Sequence, residues 1–152
     1  MKSTSSFKQQ TPTRSISEIF HRRPQDLKPW PSNPRHHPEK QLAILMASIQ
    51  TNGFTTVVLV DESGVILSGH GRVEAAKRLG LPTVPVRVIS GLSEAQKSAY
   101  LIADNKSALM SEWDDVLLKA EMEILIKEDI SIETTAFSTA EVDLMFDDPP
   151  KV

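Results

Sequence analysis

The chain has 152 residues, 39% of them hydrophobic, which suits one ordinary core and is too few for two full catalytic domains. It contains no cysteine, which excludes disulfides, thiolate metal sites and thiol nucleophiles. The net charge of −3 conceals an asymmetry, because residues 1–90 carry 12 Lys and Arg against 6 Asp and Glu while residues 91–152 carry 5 against 14. DNA contact is therefore expected through the basic first half and a protein partner through the acidic second half. The cysteine-free composition fits a reducing compartment. Met1–Gln10 has no signal-peptide core, and no apolar run approaches the roughly 18 residues that span a bilayer, so a cytoplasmic chain with no membrane contact is expected.

In chain order, residues 1–14 are polar and read as a disordered tail. A first strand is expected around Ile16–Phe20, followed by a proline loop, Asp26 to Arg35, whose prolines forbid a helix. Trp30 in that loop either packs on the next helix or stacks on a base, and His36-His37 are adjacent, a spacing that rarely serves one metal ion. Leu42, Leu45, Met46 and Ile49 recur at helical spacing, and Gly53 stands where a left-handed cap belongs. The β-branched runs Thr55–Val60 and Val65–Leu67 flank Asp61-Glu62-Ser63-Gly64 and predict a hairpin.

The second hairpin strand then breaks at Ser68-Gly69-His70-Gly71-Arg72 and becomes a helix that stops at Gly80-Leu81-Pro82. This is the geometry of an anion site. Gly69 and Gly71 permit close backbone approach, the first helical N–H groups have no internal partners, and Arg72 offers a planar donor fork. His70 reads either as a phosphate ligand and general acid/base or as a loop histidine bonded to backbone.

A strand over Thr83–Ile89 carries Pro85, which predicts an edge or a bulge. Ser93-Glu94-Ala95-Gln96 is a capping box and opens a helix expected to end near Asp104-Asn105-Lys106. Asp104 and Asn105 are hard oxygen ligands of the kind magnesium uses together with phosphates, or else they mark a helix end with Lys106 on its dipole. Trp113 predicts a staple onto Leu118 for a helix to about Lys127, and Ser138–Glu141 is a second capping box, with Phe137 stapling onto Val142. Residues 148–152 read as a disordered end. The fold class is α+β (α/β), with a purely helical C-terminal third and no internal repeat.

Leu27-Lys28-Pro29 through Asn33-Pro34-Arg35, Ala47-Ser48-Ile49 with Gly53-Phe54, Val58–Asp61, Ser68–Arg72 and Ala103–Lys106, in that order, resemble the ParB/sulfiredoxin superfamily. The similarity runs from Ser15 to Leu109 and is greatest to the ParB-like nuclease domains of phage, plasmid and DNA-modification systems. It implies a small mixed sheet with flanking helices, a nucleotide-binding domain over residues 15–110 and a helical extension over 111–147. It further implies a nucleoside triphosphate, ATP or CTP, with Mg2+. Phosphates would lie on Gly69, His70, Gly71 and Arg72, with Arg35 and Lys106 alongside, and the metal would lie at Asp104 and Asn105. Catalysis would fall to His70, Arg72 and Asp104, giving an NTPase, a metal-dependent DNase using the same pocket, or a non-catalytic recognition module associated with a DNA methyltransferase. A homodimer is a further expectation. Where partition proteins carry an arginine pair, His70-Gly71 stands here beside Arg72. Sulfiredoxin activity needs a cysteine in this turn and is excluded. The family's serine-kinase branch needs a carboxylate base, for which Glu39 is the candidate.

Overall fold

The computed structural model describes residues 15–147. The expected tail at 1–14 and end at 148–152 lie outside the described residues. The single first strand is in fact two short ones, β1 (Ser15–Ile16) and β2 (Phe20–Arg22), laid end to end along one strand, β5 (Val84–Ser90). At the break, Ser17 substitutes its own groups for the interrupted ladder: its N–H donates to Val88 O at 2.9 Å, and its hydroxyl accepts from Val88 N at 2.9 Å. After a 3-10 turn at Pro24–Asp26, the proline loop runs to helix α1 (Glu39–Asn52), which ends at Gly53 with φ 79° and ψ 178°. That cap has the expected positive φ, yet its ψ is extended and outside the left-handed helical well.

The hairpin forms as predicted from β3 (Val58–Val60) and β4 (Ile66–Ser68), and β4 feeds helix α2 (His70–Leu79). The sheet order is β1-β5-β3-β4, with β2 also on β5 and with β3 parallel to β5. β5 is thus the centre of the sheet, and the edge position expected from Pro85 is corrected. Pairing with β3 begins at Val86, opposite Val58, so the missing N–H of Pro85 falls at the strand's entry, before that ladder starts. The core packs Val58, Val60, Ile66, Val84 and Val86 of the sheet against Leu27, Val73 and Ala76. Ala75 and Ala76 are fully buried, and their small side chains let α2 lie close on the sheet.

Helix α3 (Glu94–Ala108) opens with the predicted capping box, Gln96 N to Ser93 Oγ at 3.2 Å and Ser93 N to Gln96 Oε1 at 2.9 Å. It ends at Ala108, close to the expected Asp104-Asn105-Lys106, and Lys106 lies in its last turn. Helices α4 (Asp115–Lys127) and α5 (Thr139–Asp147) follow, separated by a 3-10 turn at Ile132–Thr135 that sequence reading did not anticipate and that packs on α1. Asp114 caps α4, and the Ser138–Glu141 box caps α5. Trp113 meets Phe137, with ring centroids 5.7 Å apart, joining the starts of α4 and α5. Among the described residues no helix is long and apolar enough to cross a membrane.

One buried ion pair ties the hairpin to α3. Asp61 Oδ1 accepts from the N–H groups of Ser63 at 2.9 Å and Val65 at 3.0 Å, shaping the turn, while Oδ2 accepts from Lys97 Nζ at 2.9 Å. Lys97 also reaches Glu94 at 2.9 Å. Burial alone pushes the Asp61 carboxyl up, but Lys97 and the two backbone donors outweigh it and hold it below the usual carboxylate range. Hydrogen bonds to Glu94 and Asp61 raise Lys97 in turn. Asp61→Ala leaves a buried ammonium short of its partner and opens the turn, so urea titration should show a loss of about 3 kcal/mol or more; a variant within about 0.5 kcal/mol of the parent would contradict this account.

Candidate functional site

The strand-to-helix turn depends on Gly69, which has φ 106° and ψ 18° and serves as the N-cap of α2 with no side-chain cap. An L side chain there is strained even though the space is open, since an added Cβ would meet Val58 Cγ2 at an ordinary 3.5 Å. With no side-chain cap, the N–H groups of His70, Gly71 and Arg72 are left for an external acceptor. Gly71 also serves packing. A Cβ there would stand 3.0 Å from both His37 Nδ1 and Leu45 Cδ1, so its absence lets α1 and the loop before it close on α2.

His70 and Arg72 sit two positions apart on α2, a rotation of about 200°, and so cannot face one point. His70 turns toward the proline loop, where its Nε2 accepts from Trp30 N at 3.0 Å and its ring lines a cavity of about 340 Å³ with His37 and Glu74. Burial first, and then the positive charge of His37, lower the His70 pKa from 6.5 to about 4. A neutral imidazole with one nitrogen committed to backbone anchors the loop. The bond to Trp30 N–H is the kind of backbone contact one of the two expectations named, and it occupies one ring nitrogen. Arg72 is exposed and has no hydrogen-bond or ion-pair partner among the described residues.

α3 supplies the opposite wall. Ser68 Oγ donates to Asp104 Oδ2 at 3.1 Å, which brings Asp104 to the turn. Arg35 Nη1 donates to Asn105 Oδ1 at 2.8 Å, while Asn105 Nδ2 donates to Leu101 O at 2.8 Å. Arg35, Asp104 and Asn105 are thereby gathered around the turn, but the Asn105 oxygen expected to ligate a metal is engaged by Arg35. Lys106, two positions beyond Asp104, is turned about 200° from it and is not brought to the turn; its side chain is exposed and has no partner among the described residues. Tyr100 stands one helical turn before Asp104, and burial followed by the Asp104 charge raises its hydroxyl above the ordinary range. Among the described residues no group of three His, Cys, Asp or Glu is placed to hold a metal ion.

Several participants escaped sequence reading. Ser68 belongs to the motif, but its hydroxyl contact spans 36 residues and has no local signal. The sequence pairs His37 with His36, whereas in the structure its ring packs against Gly71 and its Nδ1 donates to Gln41 Oε1 at 3.1 Å. Glu39, the candidate base, is held by both Arg78 nitrogens at 2.6 and 3.0 Å, and its carboxyl is lowered accordingly, so it clamps α1 to α2. Trp30 lines a second cavity of about 360 Å³, with Asp61, Ser63 and Glu94, and so looks toward the hairpin turn and α3 instead of α1.

A family model described as the ParB N-terminal domain matches residues 8–105. The Escherichia coli (strain K12) ParB-like nuclease domain-containing protein YnaK is 48% identical over 80 residues, which cover 53% of this chain and 92% of that one. A solved structure of the C-terminally truncated chromosome-partitioning protein ParB from Caulobacter crescentus, complexed with CTP-gamma-S, aligns with a TM-score of 0.68. That likeness has 24% identity and covers 85% of this chain and 77% of the other. A Pnob8-like ParB-N domain aligns with a TM-score of 0.51 at 15% identity, covering 74% of this chain and 47% of that one. At these identities the solved structures share the fold.

Two outcomes follow for the turn. Gly69→Ala should cost roughly 1–2 kcal/mol by backbone strain alone, measured by denaturant unfolding, because no neighbour is displaced. For His70, the unfolded chain takes a proton near 6.5 and the folded chain resists until about 4, so its contribution is complete above 6.5 and is lost as pH falls toward 4. His70→Gln retains an acceptor for Trp30 N–H and should flatten this part of a melting-temperature profile; parallel profiles for parent and variant would refute the assignment.

Proposed function

The chain belongs to the ParB N-terminal domain family, and from that premise we propose that it binds a nucleoside triphosphate, ATP or CTP, at the β4–α2 turn and works together with DNA. The observation that carries this reading is the uncapped start of α2, with the exposed, unpartnered guanidinium of Arg72 in its first turn. Arg35 is a second cation, bonded to Asn105, the neighbour on α3 of the Asp104 that Ser68 holds. The Caulobacter crescentus neighbour carries CTP-gamma-S on the same fold, which supports a nucleotide as the anion.

Mg2+ fits here as a companion of the phosphates. Asp104 is one hard carboxylate at the turn, and magnesium with a nucleotide asks for one or two carboxylates plus phosphate oxygens and waters. It would supply charge neutralisation on the phosphates. Ser68 orients Asp104, and Arg35 holds Asn105 in place until a phosphate competes for the guanidinium. Hydrolysis would then be positional and electrostatic, with Arg72 and the α2 N–H groups stabilising charge. The basic first half is the side that meets DNA.

Although the YnaK description includes a nuclease domain, a single carboxylate at the turn suits a nucleotide-borne ion better than a dedicated metal cluster. Titration of the purified chain with Mg2+ and each of the four triphosphates should give saturable binding. Arg72→Ala should weaken it at least about tenfold, or about 1.4 kcal/mol. No binding by any triphosphate, or equal binding by the variant, would sink the reading. Plasmid nicking that disappears in Asp104→Ala would support the nuclease instead.

A further inference from the structure

Helix α4 has two apolar sides. One is occupied: Met122 is buried, Leu118 and Leu125 are half-buried, and α5 and the 3-10 turn pack on the helix. The other carries Val116, Leu117, Ala120 and Ile124, which fall on one stripe at i, i+1, i+4 and i+8. Val116 is 68% exposed, Leu117 65% and Ile124 53%. Trp113, 68% exposed, extends the stripe at the helix start. A helix that is apolar on opposite sides belongs inside a larger assembly, because a surface helix needs one apolar face and one polar face.

The rim of the stripe indicates what covers it. Glu121 and Glu123 flank it on either side of the helix, both exposed, with Lys127 past its C-terminal end, and residues 91–152 together carry a net charge of −9. A second copy applying the same face would set one acidic half against another, whereas a basic partner meets it with opposite charge. We propose that the exposed face of α4 docks a basic amphipathic helix from a partner protein, aliphatic at i, i+3/i+4 and i+7 and flanked by Lys or Arg. Apolar anchors would fill the Val116–Ile124 stripe, and the cations would meet Glu121 and Glu123. This surface is separate from the nucleotide turn and does not depend on that reading.

The test uses the full chain and a synthetic amphipathic helix built from Leu and Lys, with a Leu/Glu helix as control, followed by titration calorimetry. The Lys peptide should bind with a Kd of roughly 10 µM at about 0.15 M salt, and the Glu peptide should not. Leu117→Asp with Ile124→Asp makes the chain more acidic while removing the anchors, so binding should fall at least about tenfold. Equal or tighter binding by that variant would mean attraction by charge alone and would overturn the proposal. Glu121→Lys with Glu123→Lys leaves the apolar stripe intact and should lose the Lys peptide and gain the Glu peptide; circular dichroism verifies that both variants fold. No binding of either peptide overturns the proposal. So does a dimer seen by sedimentation that Ile124→Asp dissolves, which assigns the face to a second copy. Removal of residues 1–14 that tightens peptide binding tenfold would assign it to the chain's own N-terminal segment.

Discussion

Gly69 makes the site by taking a backbone conformation that residues with a Cβ avoid. With φ at 106°, the chain leaves β4 and enters α2 without spending residues on a loop, so the first helical N–H groups emerge directly from the buried edge of the sheet. The same reversal fixes the azimuth of every side chain on α2. His70 is thrown toward the proline loop and Arg72 away from it, while Val73 and Ala76 lie on the core. The division of labour between a neutral anchor and a free cation is thus a consequence of helical geometry set by one glycine.

The proline loop is held from both sides of this turn. Lys28 pairs with the hairpin through Gly64 O at 2.9 Å and Ile66 N at 2.8 Å, Trp30 N–H donates to His70, and Arg35 reaches Asn105. Prolines cannot close a ladder of their own, so the loop takes its order from these outside partners. Charge is handled in two ways. Structural cations such as Lys97 and Arg78 are satisfied by carboxylates on neighbouring elements, whereas Arg72 is left to solvent beside uncapped N–H groups. An unpaired cation there raises the local potential for an anion at no cost in burial.

Features encoded within a few residues were legible in the sequence. The two capping boxes, the Asp61–Gly64 hairpin turn, the Gly80 stop and the Gly69–Arg72 turn each depend on residues close together, and each formed. What escaped was set at long range. Pro85 argued for an edge, but the ladder with β3 starts only at Val86, one residue later. The end of α3 near Asp104–Lys106 was legible, but the partners that Asp104 and Asn105 find there, Ser68 and Arg35, lie far off in sequence. His70 and Arg72 were grouped because they are neighbours in sequence, and the helix separated them. Nothing local marks Lys97 as the buried partner of Asp61, which lies 36 residues away.

α3 is fastened along its length by ties of unequal strength. Near its start, Lys97 lies in a buried pair whose rupture would strand a charge. Past the buried Leu101, Asp104 is held by Ser68 Oγ and Asn105 by a half-buried Arg35, one hydrogen bond each. The loss of either bond leaves groups that water can reach, so these are the weaker ties. The hairpin end of α3 is therefore fixed by the fold, while the end that carries Asp104 and Asn105 is held by two hydrogen bonds, and an anion at the turn competes directly for the Arg35 one. The stiffness of the site is concentrated in the β4–α2 turn, and its freedom lies across from it, on the last turns of α3.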